Sequence, residues 1–271
     1  MFDSENNTIV NDNIVNIIIP IYKKDFTKLE RISFEQIYNV LNHFPITIVK
    51  PESLDLNHLK DIYPKIYFES FDDIYFRDIA GYNRLLLSDF FYERFLNFQY
   101  IQICQLDSYV FRDELARFCH KGYDYIGAPW LKKKAYQNFV MSYFIENRKR
   151  KAIRKRRPIR YTLFDKVGNG GFSLRRVESF YQSSVKYKDR IKFYLSHIDN
   201  PMYNEDVFWA TEIPDFNYPE VQEALTYAFD KYPKYCYELT NHQLPFGCHG
   251  WYKWKWKSFW EKIIDFQDDK N

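Results

Sequence analysis

Val15 to Tyr22 (VNIIIPIY) is a largely apolar run rich in β-branched residues whose strand is ended by Pro20, the pattern of a strand buried on both faces of a mostly parallel sheet. Apolar residues then recur at helical spacing through Leu29, Ile32, Phe34, Ile37, Val40 and Leu41, predicting a helix over 28–41, and PITIV at 45–49 predicts the next strand. The chain thus opens β-α-β. Further strands are predicted at Ile66–Phe68, Tyr100–Leu106, Tyr123–Ile126 and Ser173–Leu174. Helices are predicted around Tyr82–Tyr92, Phe111–Cys119, 136–160, Val177–Tyr187 and Pro219–Phe229. Alternating strands and helices imply an α/β fold with a mixed, mostly parallel central sheet and helices on both faces. No Pro/Gly/Ser-rich linker divides the chain, so it reads as one domain over 15–250, preceded by an extended or disordered 1–14 and followed by an aromatic, basic helix over 251–271.

Composition removes several function classes. The chain has 271 residues and only 8 glycines, the first at Gly81, where an ordinary chain carries about 7% glycine. The opening 80 residues therefore hold neither a dinucleotide-binding G-x-G-x-x-G turn nor a phosphate loop, and a sugar nucleotidyltransferase loses its early glycine-rich loop too. Gly168, Gly170 and Gly171 cluster, as do Gly247 and Gly250. The cysteines at 104, 119, 236 and 248 are too sparse for a disulfide scaffold and read as buried thiols, which fits a reducing cytoplasm. The N-terminus is acidic where a signal peptide is basic, and no run approaches the roughly 20 apolar residues of a membrane span. Nine Lys/Arg fall within 148–160, inside the loop or helix 146–160, and leave the rest of the chain acidic, which disfavours nucleic acid as a partner.

Four segments could carry chemistry. Asp107, at the mouth of a buried strand, suits a hard cation and phosphate, or simply begins the next loop. The segment VGNGGFSLR, with Asn169, Gly170 and Gly171, lets a ligand approach the backbone, or forms a hairpin. Glu205 and Asp206 beside Phe208 and Trp209 suit a general base of raised basicity, or a helix cap. His249, bracketed by Gly247 and Gly250, suits a metal ligand, or a packed loop residue.

In order, the blocks YFRDIAGYNRLLLS, QLDSYVF, GYDYIGAPW, VGNGGFSLR, NEDVFW and LPFGCHGW resemble a family of largely bacterial proteins regarded as glycosyltransferases of the GT-A type. More distantly, the order of features is similar to that of inverting β-1,3- and β-1,4-galactosyltransferases and Fringe-like enzymes. The resemblance implies a GT-A-like domain moving a sugar, with inversion, from a nucleotide-sugar donor of the UDP-galactose type to a hydroxyl of a glycan or lipid-linked acceptor, in surface polysaccharide or glycolipid synthesis. It implies Asp206, with Glu205, as the catalytic base and Asp107 with His249 as ligands of Mn²⁺ or Mg²⁺. It places Tyr22, Lys23, Arg84, Asp107 and Tyr109 on the nucleotide, and Asn169, Gly170, Gly171 and Trp209 on the acceptor. The sequence departs from the family's metal motif at Asp107-Ser108-Tyr109, which lacks a second aspartate. The basic run 148–160 and the interleaved tryptophans and lysines of 251–260 suit an anionic membrane surface, expected on the inner face of the cytoplasmic membrane. A non-catalytic carbohydrate-binding protein is the alternative reading; it explains the aromatic richness and leaves the acid pair and loop histidine without a role.

Overall fold

The computed structural model describes residues 14–132, 136 and 138–266. The predicted N-terminal extension therefore lies, but for Ile14, outside the described residues. Among the described residues nine strands occur in chain order: β1 (Val15–Pro20), β2 (Ile46–Pro51), β3 (Ile66–Phe71), β4 (Tyr100–Cys104), β5 (Ser108–Val110), β6 (Tyr125–Gly127), β7 (Phe172–Arg176), β8 (Ala228–Phe229) and β9 (Gly247–His249). Six build a mixed sheet in the order β3-β2-β1-β4-β7-β6. The β3-β2-β1-β4 side is parallel, and β7 runs antiparallel to β4 and β6. A small second sheet, β5-β9-β8, starts four residues beyond the carboxyl end of β4 and carries His249.

Period-two alternation makes β1 a central strand. Val15, Ile17 and Ile19 join one apolar cluster with Phe34, Ile37 and Leu41 of the helix Lys28–Leu41. Ile18 joins the other, with Leu85, Phe91, Phe180 and Trp209. Each such side chain contributes about 1.5–3 kcal/mol on burial, so helices cover both faces as expected of a doubly covered parallel sheet. The Lys28–Leu41 helix starts where sequence places it because Thr27 and Glu30 form a reciprocal capping box, with Thr27 N–H donating to the Glu30 carboxylate over 2.8 Å.

Several elements differ from their predicted bounds. The helix expected around Tyr82–Tyr92 is two, Ile79–Leu86 and Asp89–Glu93, because the Ser88 hydroxyl closes the first on Leu85 O and caps the second at Phe91 N. The helix expected from Phe111 begins only at Leu115, since residues 108–110 are taken into β5 by pairing with β9. The predicted 136–160 helix is observed as Phe139–Arg154, capped by Asn138. Over 251–266 only Lys257–Trp260 is helical, where a continuous helix was expected. Trp251 and Trp260 are both fully buried, and the chain turns to seat them in one cluster with Phe229 and Cys248. Among the described residues no helix is long and apolar enough to cross a membrane.

Candidate active site

A cavity of about 540 Å³ opens at the carboxyl ends of β1 and β4, where open α/β sheets bind ligands. Its lining brings together Tyr22, Asp107, Asn169, Gly170, Gly171, Glu205, Asp206 and His249, which lie far apart in sequence.

One wall is an ion-pair cluster. Asp107 Oδ1 lies 3.0 Å from His249 Nε2, and its Oδ2 lies 3.1 Å from Lys253 Nζ. The same His249 nitrogen lies 3.2 Å from Gln105 Oε1, while Nδ1 faces Asp230 Oδ1 at 3.3 Å. Asn169 Nδ2 donates to the other Asp230 oxygen over 3.0 Å and so holds that carboxylate against the ring. Burial opposes both charges here, yet the two carboxylates push the His249 imidazole up to about 9, and His249 and Lys253 hold Asp107 well below the usual carboxylate range. His249 reaches this place because β9 lies between β5 and β8. Gly250, in the left-handed region at φ 66°, then turns so that its N–H donates to Asp107 O over 2.8 Å.

The other wall is the acid pair, whose two members have different surroundings. Glu205 is buried and ion-paired with the fully buried Arg175, Nη2 to Oε1 at 3.1 Å and Nη1 to Oε2 at 3.1 Å. Arg175 also donates to Tyr92 OH and Ser173 Oγ. Asp206 is half-buried, has no cation in hydrogen-bond contact among the described residues, and accepts from Val207 N–H over 2.8 Å. Burial, and then the charge of Glu205, push its carboxyl up to about 7. Between the walls runs the Gly170–Gly171 backbone. A Cβ at Gly170 would overlap the Glu205 carboxylate, and one at Gly171 would overlap the His249 ring, so only glycine fits at either position.

Among the described residues no three His, Cys, Asp or Glu side chains form a metal-ligand set. The donors that do meet are mixed: the Gln105 and Asp107 oxygens at one His249 nitrogen. Two oxygens and an imidazole suit Mg²⁺ or Mn²⁺, and the Asp230 carboxylate on the far ring nitrogen is the usual support of a metal-bound histidine. Only with His249 in its neutral form would these residues fit a divalent cation, with Gln105 standing two positions before Asp107 where an acid was sought two positions after it.

Some expected contacts are not made. Trp209 is fully buried, stacked among Phe180, Tyr92 and Phe216 with Nε1 donating to Leu86 O, and cannot meet an acceptor. Tyr109 does not line the cavity; it packs on Phe111 and Trp251, on the side of β5 opposite Ser108, whose hydroxyl donates to Gly171 O. Arg84 is exposed and off the lining, because the helix face built by Ile79, Tyr82 and Asn83 meets the cavity instead. Lys23 sits beside the mouth, held 2.7 Å from Glu30, while Tyr22 lines the mouth and is 61% exposed. Gln105, Arg175, Asp230 and Lys253 are the site residues that sequence reasoning missed.

A family model described as "Protein of unknown function (DUF5672)" matches residues 65–249. No curated protein matches the chain. Among solved structures it is similar to apo mouse xyloside xylosyltransferase 1, at 11% identity and a TM-score of 0.52, over 87% of this chain and 97% of that one. It is similar to galactosyltransferase LgtC in complex with donor and acceptor sugar analogs, at 12% identity and a TM-score of 0.53, over 91% and 94%. It is also similar to the glycosyltransferase GlyE of Streptococcus pneumoniae TIGR4, at 11% identity and a TM-score of 0.52, over 93% of this chain but 61% of that longer one. The shared architecture is the GT-A-like fold.

Proposed function

The chain belongs to the DUF5672 family of proteins of unknown function, and from that premise we propose that it is a glycosyltransferase, moving a sugar from a nucleotide-sugar donor to a glycan or lipid-linked hydroxyl with inversion. The observation that carries this reading is Asp206: a carboxyl near neutrality, in a cavity whose opposite wall gathers Asp107, His249 and Gln105. A neighbour of the same fold holds donor and acceptor sugar analogs. A non-catalytic carbohydrate binder would leave both the raised carboxyl and the cationic wall without a role.

In the proposed reaction the acceptor oxygen bonds to the anomeric carbon as the carbon–oxygen bond to the nucleoside diphosphate breaks, its electron pair leaving on the diphosphate. Asp206 takes the acceptor's proton, for which a pKa near the working pH is best suited. One displacement, in which the acceptor oxygen attacks the face opposite the leaving group, gives inversion. Glu205 is a positioning residue: its ion pair with Arg175 fixes the start of the helix Glu205–Thr211, and its charge raises the basicity of Asp206. Gly170 and Gly171 let the Glu205 carboxylate and the His249 ring close on the backbone between the two walls, and Tyr22 offers an exposed ring at the mouth to the nucleotide base, UDP being the first candidate. Asp107, His249 and Gln105 would hold Mn²⁺ or Mg²⁺, which when bound neutralises diphosphate charge. Lys253 puts positive charge on the same wall, and His249, which must be neutral to ligate a cation, carries a proton there when none is bound.

For the membrane, support comes from the helix Phe139–Arg154. Phe139 (87% exposed), Val140, Tyr143 and Phe144 reach solvent beside a basic last half, the composition of an interfacial helix. The test of function is a thermal-shift screen of UDP-, GDP- and CMP-sugars with and without Mn²⁺, followed by a hydrolysis assay. One nucleotide sugar should raise the melting temperature and be slowly hydrolysed; no binding by any removes the reading.

A further inference from the structure

A second cavity, about 930 Å³, adjoins the first and shares Asn204 and Asp206 with it. The two have contrasting linings. Trp130, Tyr232, Trp254 and Trp256 give the second cavity flat apolar surfaces, and Trp254 is 81% exposed. Its charged groups are Arg160, Lys231, Lys253 and Lys255, and Asp206 is the single acid on its lining. Lys253 is engaged with Asp107. Among the described residues no carboxylate forms an ion pair with Arg160, Lys231 or Lys255. Arg160 Nη2 lies 3.4 Å from the Tyr232 hydroxyl, and the Lys255 ammonium lies 5.3 Å from the centre of the Trp254 ring.

Three cations on one lining, none ion-paired to a carboxylate among the described residues and Lys231 acting on Asp206 only at longer range, raise the local concentration of anions. Flat indole rings beside them bury the apolar face of a pyranose, so the surface suits a ligand that is both sugar and acid. The shared position of Asp206 fixes what such a ligand would be to the reaction: its hydroxyl can reach the carboxylate from one cavity while a donor occupies the other. We infer that the second cavity is the acceptor site, and that the acceptor is an acidic carbohydrate bearing a carboxylate or phosphate read by Arg160, Lys231 and Lys255. The inference rests on the transferase reading for the word acceptor, and on the cavity's own lining for the acidic sugar.

The experiment is a ligand-observed NMR titration of the full chain with digalacturonate, galactose 1-phosphate and a neutral digalactoside, with UDP binding followed separately. The first two distinguish a carboxylate from a phosphate source. At least one should bind tenfold or more tightly than the neutral sugar. The exposed double variant K231S/K255S should lose about tenfold or more of that affinity, W254A should weaken all sugars, and UDP binding should be unchanged in both. Equal binding of neutral and acidic sugars, acidic-sugar binding indifferent to K231S/K255S, or no sugar binding at all overturns the inference. Acidic-sugar binding that survives without any nucleotide or nucleotide-sugar binding keeps the acidic-sugar site and overturns the transferase reading instead.

Discussion

The first cavity is held by buried charges that answer one another, Arg175 with Glu205 and His249 with Asp107 and Asp230, whereas the second is lined by Lys231, Trp254 and Lys255, which reach solvent. Asp206 belongs to both. Buried pairs are rigid and costly to break, which suits a site that must place reacting atoms; exposed cations and rings adjust at little cost to the fold, which suits recognition of a variable partner.

Breaking the buried Glu205–Arg175 pair of the first cavity should have the largest effect on stability. Glu205→Ala leaves the Arg175 guanidinium buried and unpaired, at a cost of about 3–5 kcal/mol, readable as a lower urea midpoint and a melting temperature lower by roughly 2–4 °C per kcal/mol for a domain of about this size. Lys255→Ser should stay within about 0.5 kcal/mol of the parent, and equal losses from the two would erase the contrast. Gly171→Ala comes next: its methyl meets the His249 ring, costing about 1–3 kcal/mol as overpacking and weakening nucleotide binding in calorimetry, while the second cavity still binds its ligand.

Smaller effects come from pH. With Asp206 raised from 3.8 to about 7, the folded state keeps a proton that the unfolded chain has released. Its contribution therefore makes stability fall as pH rises from about 4 to 7 and level off above. Turnover should move the other way, climbing tenfold per pH unit below about 7 and flat above it; a pH–rate profile without a limb near 7 removes Asp206 as base. The smallest effect on the fold should come from Phe139→Ser with Phe144→Ser, near-neutral in melting yet lowering co-sedimentation with phosphatidylglycerol vesicles.

The sheet was legible because its signals are local. The β-branched run of β1 and the period of the 28–41 helix act within a few residues, and Thr27 with Glu30 closes the helix start. The second sheet was not legible: β5, β8 and β9 have three, two and three residues, and β5 pairs with β9 across more than a hundred residues. Asp230 follows a two-residue strand in no motif, and only the β8–β9 pairing brings it to His249. Arg175 lies just past the predicted strand Ser173–Leu174, where nothing local marks it as fully buried to answer Glu205. Gln105 stands two residues before Asp107, but the two meet at His249 because the chain turns between them, with Ser108 N–H donating to Gln105 O over 2.8 Å. The Glu-Asp pair was visible as a pair, but which acid is committed to an arginine and which is left basic depends on tertiary packing.

The central claim is that Asp206 accepts the acceptor's proton while the rest of the cavity holds the donor. Single-turnover transfer by Asp206→Asn, with donor affinity measured on the same sample, tests it most directly. The account predicts donor binding within a few-fold of the parent and transfer slower by about 10²–10⁴-fold, with the limb near pH 7 gone. Transfer at the parental rate with that limb intact would contradict it.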